Sequence, residues 1–181
     1  MTAPRDPGPG TVPGRPGGAA VLAEARWPEP GDGPPPPLPG FVHSAFHPLA
    51  AAVAGRCLDR RNRPAPEGAR CAVLLVSAVG DRASAEHVRA TVGAGGRVGP
   101  LFFFQSVPNS VAGHVAARHR LDGPVVCLSP TGDPRADGTA EAELLLYDGD
   151  ADEALLILID TAPDGAATGA TAVLLGGGTP R

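Results

Sequence analysis

The side chains best suited to chemistry in this chain are three thiols, Cys57, Cys71 and Cys127, and five imidazoles, His43, His47, His87, His114 and His119. A thiolate beside a histidine is a nucleophile for acyl transfer when a helix N-terminus or a cation lowers its pKa. The sequence around these thiols argues otherwise. Cys127 lies inside Val125-Val126-Cys127-Leu128, and a thiol in an apolar strand has a raised pKa and is inert, so it is expected in the core. An odd number of cysteines, all in hydrophobic segments, fits reduced, buried thiols better than a disulfide framework or a zinc cluster. His114 and His119 are five apart on an expected helix and do not share a face as an i, i+4 metal pair does. His43 and His47 have that spacing, but Pro48 follows and no third ligand is near in sequence, so no metal site is expected. Gly93 to Gly96 and Gly176 to Gly178 lack both a GxGxxG pattern and a following Lys-Ser/Thr, which leaves turn chemistry as their role. No GxSxG elbow is present, which argues against a serine hydrolase.

The elements that position these groups follow from composition and periodicity. The chain has 181 residues, 43% of them hydrophobic, enough for one domain with a real core. Met1 to Gly40 contains most of the 22 prolines, including Pro34 to Pro37, and is expected to be a disordered or polyproline-like arm. A net charge of -4, with no basic cluster beyond Arg60-Arg61-Asn62-Arg63, argues against a nucleic-acid surface. Those arginines are expected at a helix C-terminus facing water. No apolar run approaches a membrane span and the N-terminus has no signal-peptide core, so a cytoplasmic protein is expected.

Phe41 to Leu58 reads as a helix whose regular part starts at Pro48. Ala69 to Ser77 is a continuous apolar run of strand length, as in a strand covered on both sides. Ala83 to Val92 reads as a short helix carrying Glu86, His87 and Arg89 outward, and it ends at Gly93 to Gly96. Pro108-Asn109-Ser110 caps a helix over Val111 to Arg120, whose Ala112, Gly113, Ala116 and Ala117 permit close packing of another backbone. Val125 to Leu128 reads as a strand, Ala136 to Tyr147 as a helix, and Glu153 to Ile159 and Ala170 to Leu175 as strands. This alternation means an α/β layer with a mostly parallel sheet. Phe102-Phe103-Phe104, taken as extended, cannot turn three rings to one side, so at least one meets a partner or a loop. In the helix over Ala136 to Tyr147, Asp137 and Glu141 share one face and Ala140, Leu144 and Leu145 another, which gives it one wet side.

The run Gly99 to Asp133, GPLFFFQSVPNSVAGHVAARHRLDGPVVCLSPTGD, resembles the N-terminal half of the beta-ketoacyl synthases, in particular the ketosynthase-like subunits called chain length factors. These share the thiolase-like fold. Pro100, Phe103, Ser106, Asn109, Gly113, Gly123 and Pro124 stand in the family's order. A Pro-x-x-Phe-x-x-Ser-x-x-Asn-like run opens a helix, a Gly-Pro pair follows, and a strand leads to a sharp turn bearing the catalytic Cys. Counting on from Gly123-Pro124 brings that turn to Pro130-Thr131-Gly132, so the nucleophile position holds Gly132. Asp148-Gly149-Asp150 leading into Glu153 to Asp160, and Gly169 to Gly176, extend the resemblance to about Phe41 to Gly176.

The resemblance implies an α/β fold that is a single half of the thiolase-like fold, a mostly parallel mixed sheet covered by helices. The implied division is a disordered Pro/Gly-rich arm at 1–40, a beta-ketoacyl synthase-like N-terminal domain at 41–176 and a flexible tail at 177–181. It further implies a non-catalytic, chain length factor-like subunit that pairs as a heterodimer with an active ketosynthase in polyketide or fatty-acid biosynthesis. Acyl carrier protein is a further implied partner. With Gly132 at the nucleophile position and the family's second half, which carries the active-site histidines, not matched, the chain is expected to be inactive alone. The contact surface carried over by position comprises Phe103, Ser106, Asn109, Gly113, Val125, Val126, Cys127 and Leu128. No cofactor, nucleic acid or membrane is implied. Two alternatives stay open: a homodimeric scaffold that binds an acyl group or acyl carrier protein, and a residual acyltransferase using Cys127.

Overall fold

The computed structural model describes residues 18–62 and 64–177. Ten elements follow one another: β1 (Ala20–Trp27), α1 (Phe46–Asp59), β2 (Cys71–Val76), α2 (Arg82–Gly93), α3 (Pro100–Gln105), α4 (Pro108–His119), β3 (Val125–Leu128), α5 (Pro134–Tyr147), β4 (Glu153–Thr161) and β5 (Ala167–Gly176). The five strands form one mixed sheet in the order β1-β5-β4-β2-β3. β2 pairs parallel with both β3 and β4, whereas β5 runs antiparallel to β4 and β1. The α/β expectation therefore holds, with parallel pairing on one side of the sheet and antiparallel pairing on the other.

Strand alternation assigns the core. Val73 and Leu75 of β2, with Leu155 and Ile157 of β4, join Phe46, Leu49, Val53 and Cys57 of α1 and Val111 and Val115 of α4. Ala72, Leu74 and Val76, with Leu156 and Leu158, face the other way and pack with Ala142 of α5 and Val173 and Leu175 of β5. The continuous apolar composition of β2 and β4 is what a strand covered on both faces requires. Capping follows local rules. Asp81 accepts from Ser84 N at the start of α2, Asp133 from Ala136 N at the start of α5, and Pro100, Pro108 and Pro134 occupy first-turn positions.

Several expectations are corrected. Ala20 to Trp27, placed in the disordered arm, is a strand pairing with β5 from Ala20–Gly176 to Trp27–Ala170; these eight residues contain neither Pro nor Gly, so nothing in them breaks a ladder. Residues 1–17 of that arm, Arg63 and residues 178–181 of the expected tail lie outside the described residues. The Phe102-Phe103-Phe104 run is helical, because Pro100 fixes the first turn of α3. Arg60 caps α1 and pairs with Glu29, but Arg61 turns inward to a buried ion pair with Glu153, at the start of β4. On α5 the buried residues are Gly138 and Ala142; Leu145 is partly buried while Ala140 and Leu144 are exposed. The small residues fix this, because a Cβ on Gly138 would lie 2.6 Å from Leu156 Cδ1 and 2.9 Å from Val76 Cγ2.

Glycines thus differ sharply in cost. A Cβ on Gly123 would overlap the Cys71 backbone, where Gly123 N donates to Cys71 O at 3.1 Å. At Gly113, mid-helix in α4, a Cβ meets nothing within 4 Å. We expect Gly123→Ala and Gly138→Ala to destabilise by about 1–3 kcal/mol each, since packed backbone and core neighbours must move. Gly113→Ala is expected to stabilise by up to about 1 kcal/mol through helix propensity. Thermal or denaturant unfolding of the three variants checks the opposite signs.

Candidate functional site: the nucleophile turn and the sheet edge beside it

The turn that would carry a nucleophile joins β3 to α5. Gly132 is exposed there, and its N–H donates to Asp137 Oδ2 at 3.0 Å. Thr131 N donates to the same oxygen at 2.7 Å and Thr131 Oγ1 at 3.3 Å. A carboxylate from the first turn of α5 thus takes up two loop amides that precede the helix, while Asp133 accepts from Ala136 N in the first turn itself. The hydrogen bonds from Gly132 and Thr131 hold the Asp137 carboxyl below the usual carboxylate range. Gly132, the position that the resemblance gives to the nucleophile, and Thr131 both spend their amides on Asp137.

Cys127 was expected in the core, and the structure corrects this. Among the described residues β3 ends the sheet with β2 as its one neighbour, so Cys127 and Val125 are exposed, while Val126 and Leu128 are partly buried against the α5-side core. A four-residue strand at an edge is covered on one face only. The Cys127 thiol reaches Asn109 Oδ1 at 3.7 Å, and partial desolvation of the sulfur raises its pKa. Such a thiol is a poor nucleophile at neutral pH in spite of its exposure. Cys57 and Cys71 are buried as expected, and burial pushes them to about 11 and about 12.

The carried-over contact residues fall on adjoining elements. Asn109 and Gly113 are exposed on α4, which packs beside β3. Ser106 caps α3, its hydroxyl donating to Phe103 O at 2.8 Å, and Ser110 Oγ of α4 donates to Phe104 O, tying α3 to α4. Phe103 is 68% exposed, as are Phe104 at 70% and Leu101 at 71%. α3 thus turns three large apolar side chains outward. Sequence reasoning missed Leu101 and took the Phe102-Phe103-Phe104 run as extended; the first-turn proline at Pro100 was the available signal that the run is a helix with an outward face.

The histidine expectations divide. His43 precedes α1, so it and His47 do not form an i, i+4 pair on one helix. His47 is buried with Nδ1 3.2 Å from Asp81 Oδ2. His43 and His87 stack at 4.4 Å, and both contact Phe102. Among the described residues no group of three or more His, Cys, Asp or Glu is placed to hold a metal ion, and no helix is long and apolar enough to cross a membrane.

The thiols give a direct check. Native alkylation is expected to label Cys127 alone, with a rate that keeps rising above the ordinary thiol pKa, and to reach Cys57 and Cys71 only on unfolding; peptide mass mapping reads this. The depressed Asp137 pKa adds stability that is full above about pH 4 and is lost as pH falls through the folded value. Asp137→Asn is expected to remove that acid-sensitive component, measured as the pH dependence of unfolding below pH 4.

No protein-family model and no curated protein matches the chain. Solved structures do. A ketosynthase in complex with its chain length factor from Xenorhabdus doucetiae is 20% identical at TM-score 0.63, covering 80% of this chain and 63% of the other. The ishigamide ketosynthase/chain length factor is 18% identical at TM-score 0.62, covering 81% and 48%. A type II polyketide acyl carrier protein in complex with its ketosynthase bound to the hexaketide gives 11% identity at TM-score 0.55, covering 74% and 46%. The chain spans 63% and 48% of the first two of these. The five-stranded mixed sheet and its flanking helices are thus those of the thiolase-like ketosynthase fold.

Proposed function

We propose that this chain is a non-catalytic, chain length factor-like subunit that pairs with an active beta-ketoacyl synthase in polyketide or fatty-acid biosynthesis. The observation that supports the proposal is the turn between β3 and α5, where the resemblance gives the nucleophile position to Gly132 and Asp137 accepts from the amides of Thr131 and Gly132. A condensing enzyme needs a thiolate at that place and donors for the oxyanion. Support for pairing comes from β3, a short edge strand beside α4 and its Asn109, from the exposed Phe103 of α3, and from the fold shared with ketosynthases solved in complex with chain length factors. Edge pairing between strands is a general route to association. The domain we assign runs from Ala20 to Gly176, because β1 completes the sheet. In this role the chain shapes the space that limits acyl length while the partner's Cys does the chemistry, and acyl carrier protein docks on the pair.

The residual acyltransferase reading is weakened by the raised pKa of Cys127. The homodimeric scaffold is tested by the same experiment as the heterodimer. Gly113→Trp adds bulk where an added Cβ meets no neighbour within 4 Å, so the fold survives and a partner is pushed away. Expressed with a tag in the native host, the wild-type chain is expected to co-purify with a full-length ketosynthase in stoichiometric amount. Gly113→Trp should cut that yield at least tenfold and alter product length. Equal recovery of ketosynthase with the variant, or a clean homodimer from wild type, sinks the heterodimer.

A further inference from the structure

α2 is loosely held. Ser84 is its one buried residue, and the helix makes no extensive contact with any other described helix or strand. It is attached at its root, where Asp81 caps it through Ser84 N at 3.1 Å and also meets His47 Nδ1 of α1 at 3.2 Å. Further along, His87 stacks on His43, in the segment before α1, with ring centroids 4.4 Å apart and planes at 27°. Phe102 of α3 completes the trio, edge-on to His43 at 4.7 Å and tilted against His87 at 4.9 Å. Both histidines are exposed, so solvent protons reach them.

Histidine is the side chain whose charge changes between about pH 5 and 8. Two neutral rings stack on each other and on Phe102 without penalty, and one imidazolium is also accepted by an aromatic neighbour. Two imidazoliums at this separation repel, unless a carboxylate is at hand. On α2 the residues that share the His87 face are Ala83, Ser84, Ala90 and Thr91, none of them charged. Glu86, the one carboxylate of the helix, is turned to Arg82 at 3.3 Å, and Arg89 adds a further cation. Residues 41–45 and α3 hold no ionisable side chain besides His43. Asp81 is engaged by His47, and His114 of α4 meets Phe41. Among these neighbours no carboxylate is free to offset a second proton.

We propose that α2 is an acid-released strap, rooted at Asp81 and latched by the His43–His87–Phe102 stack, which lets go when both imidazoles are protonated. The latched form binds fewer protons than the released form, so lowering the pH favours release. Release bares Phe102, adding a ring to the exposed Leu101, Phe103 and Phe104. α3 itself stays in place, because Ser110 Oγ of α4 donates to Phe104 O. The strap works in the isolated chain, with or without a bound ketosynthase.

Amide hydrogen exchange of the full 15N-labelled chain, corrected for intrinsic rates, is followed at pH 8 and pH 5. Protection of residues 86–91 is expected to fall about threefold or more at the lower pH, while α1 and α4 keep theirs; added salt should shrink the difference. His87→Phe keeps a ring against His43 and Phe102 but takes up no proton, so its α2 protection should not change with pH. His43→Phe does the same from the other side and serves if His87→Phe does not fold. Equal protection of the wild-type helix at the two pH values, the same fall in either variant, a fall shared by α1 and α4, or a difference that salt leaves unchanged would overturn the strap.

Discussion

The fold depends on the desolvation of β2. All six residues from Cys71 to Val76 are buried, with parallel neighbours on both edges and helices on both faces. Its two ends set the rest of the geometry. At the N-terminal end the Cys71 backbone approaches Gly123 too closely for a Cβ, which fixes where β3 begins. At the C-terminal end the chain passes through Ser77 to Asp81, and Asp81 then both starts α2 and anchors His47 of α1. A strand this apolar forces its neighbours to supply the polar connections at its ends.

What was legible in the sequence followed the strength of local periodicity. β2 and β4 are long apolar runs, and α2, α4 and α5 carry caps or first-turn prolines, so their positions were readable to within a few residues. β1 was hidden because prolines on both sides dominate the composition, although Ala20 to Trp27 alternates without a breaker. Cys127 was misplaced because Val125 to Leu128 is apolar at every position, and composition does not distinguish a central strand from an edge. The buried face of α5 rests on Gly138 and Ala142, and small residues are invisible to a pattern built on large apolar side chains. The His47–Asp81 pair joins residues from different elements, and no local signal announces such a contact.

The candidate site was legible in a different way. The order from Pro100 to Pro124 pointed to the fold and to Gly132, and the structure sets α4 beside β3, with Asn109 against Cys127. What the order did not reveal is that Asp137 accepts both amides of the turn. That contact makes the turn a capping motif, with Asp137 accepting from Thr131 and Gly132 and Asp133 from Ala136.

The central claim is that the free edge of β3 is a docking surface, and backbone hydrogen exchange tests it most directly. The amides of Val125 to Leu128 are measured in the isolated chain and in the complex recovered from the native host. Protection there, together with protection of the first two turns of α4, is the result the account predicts. Complex formation with exchange in β3 and α4 unchanged, and protection appearing elsewhere, would contradict it.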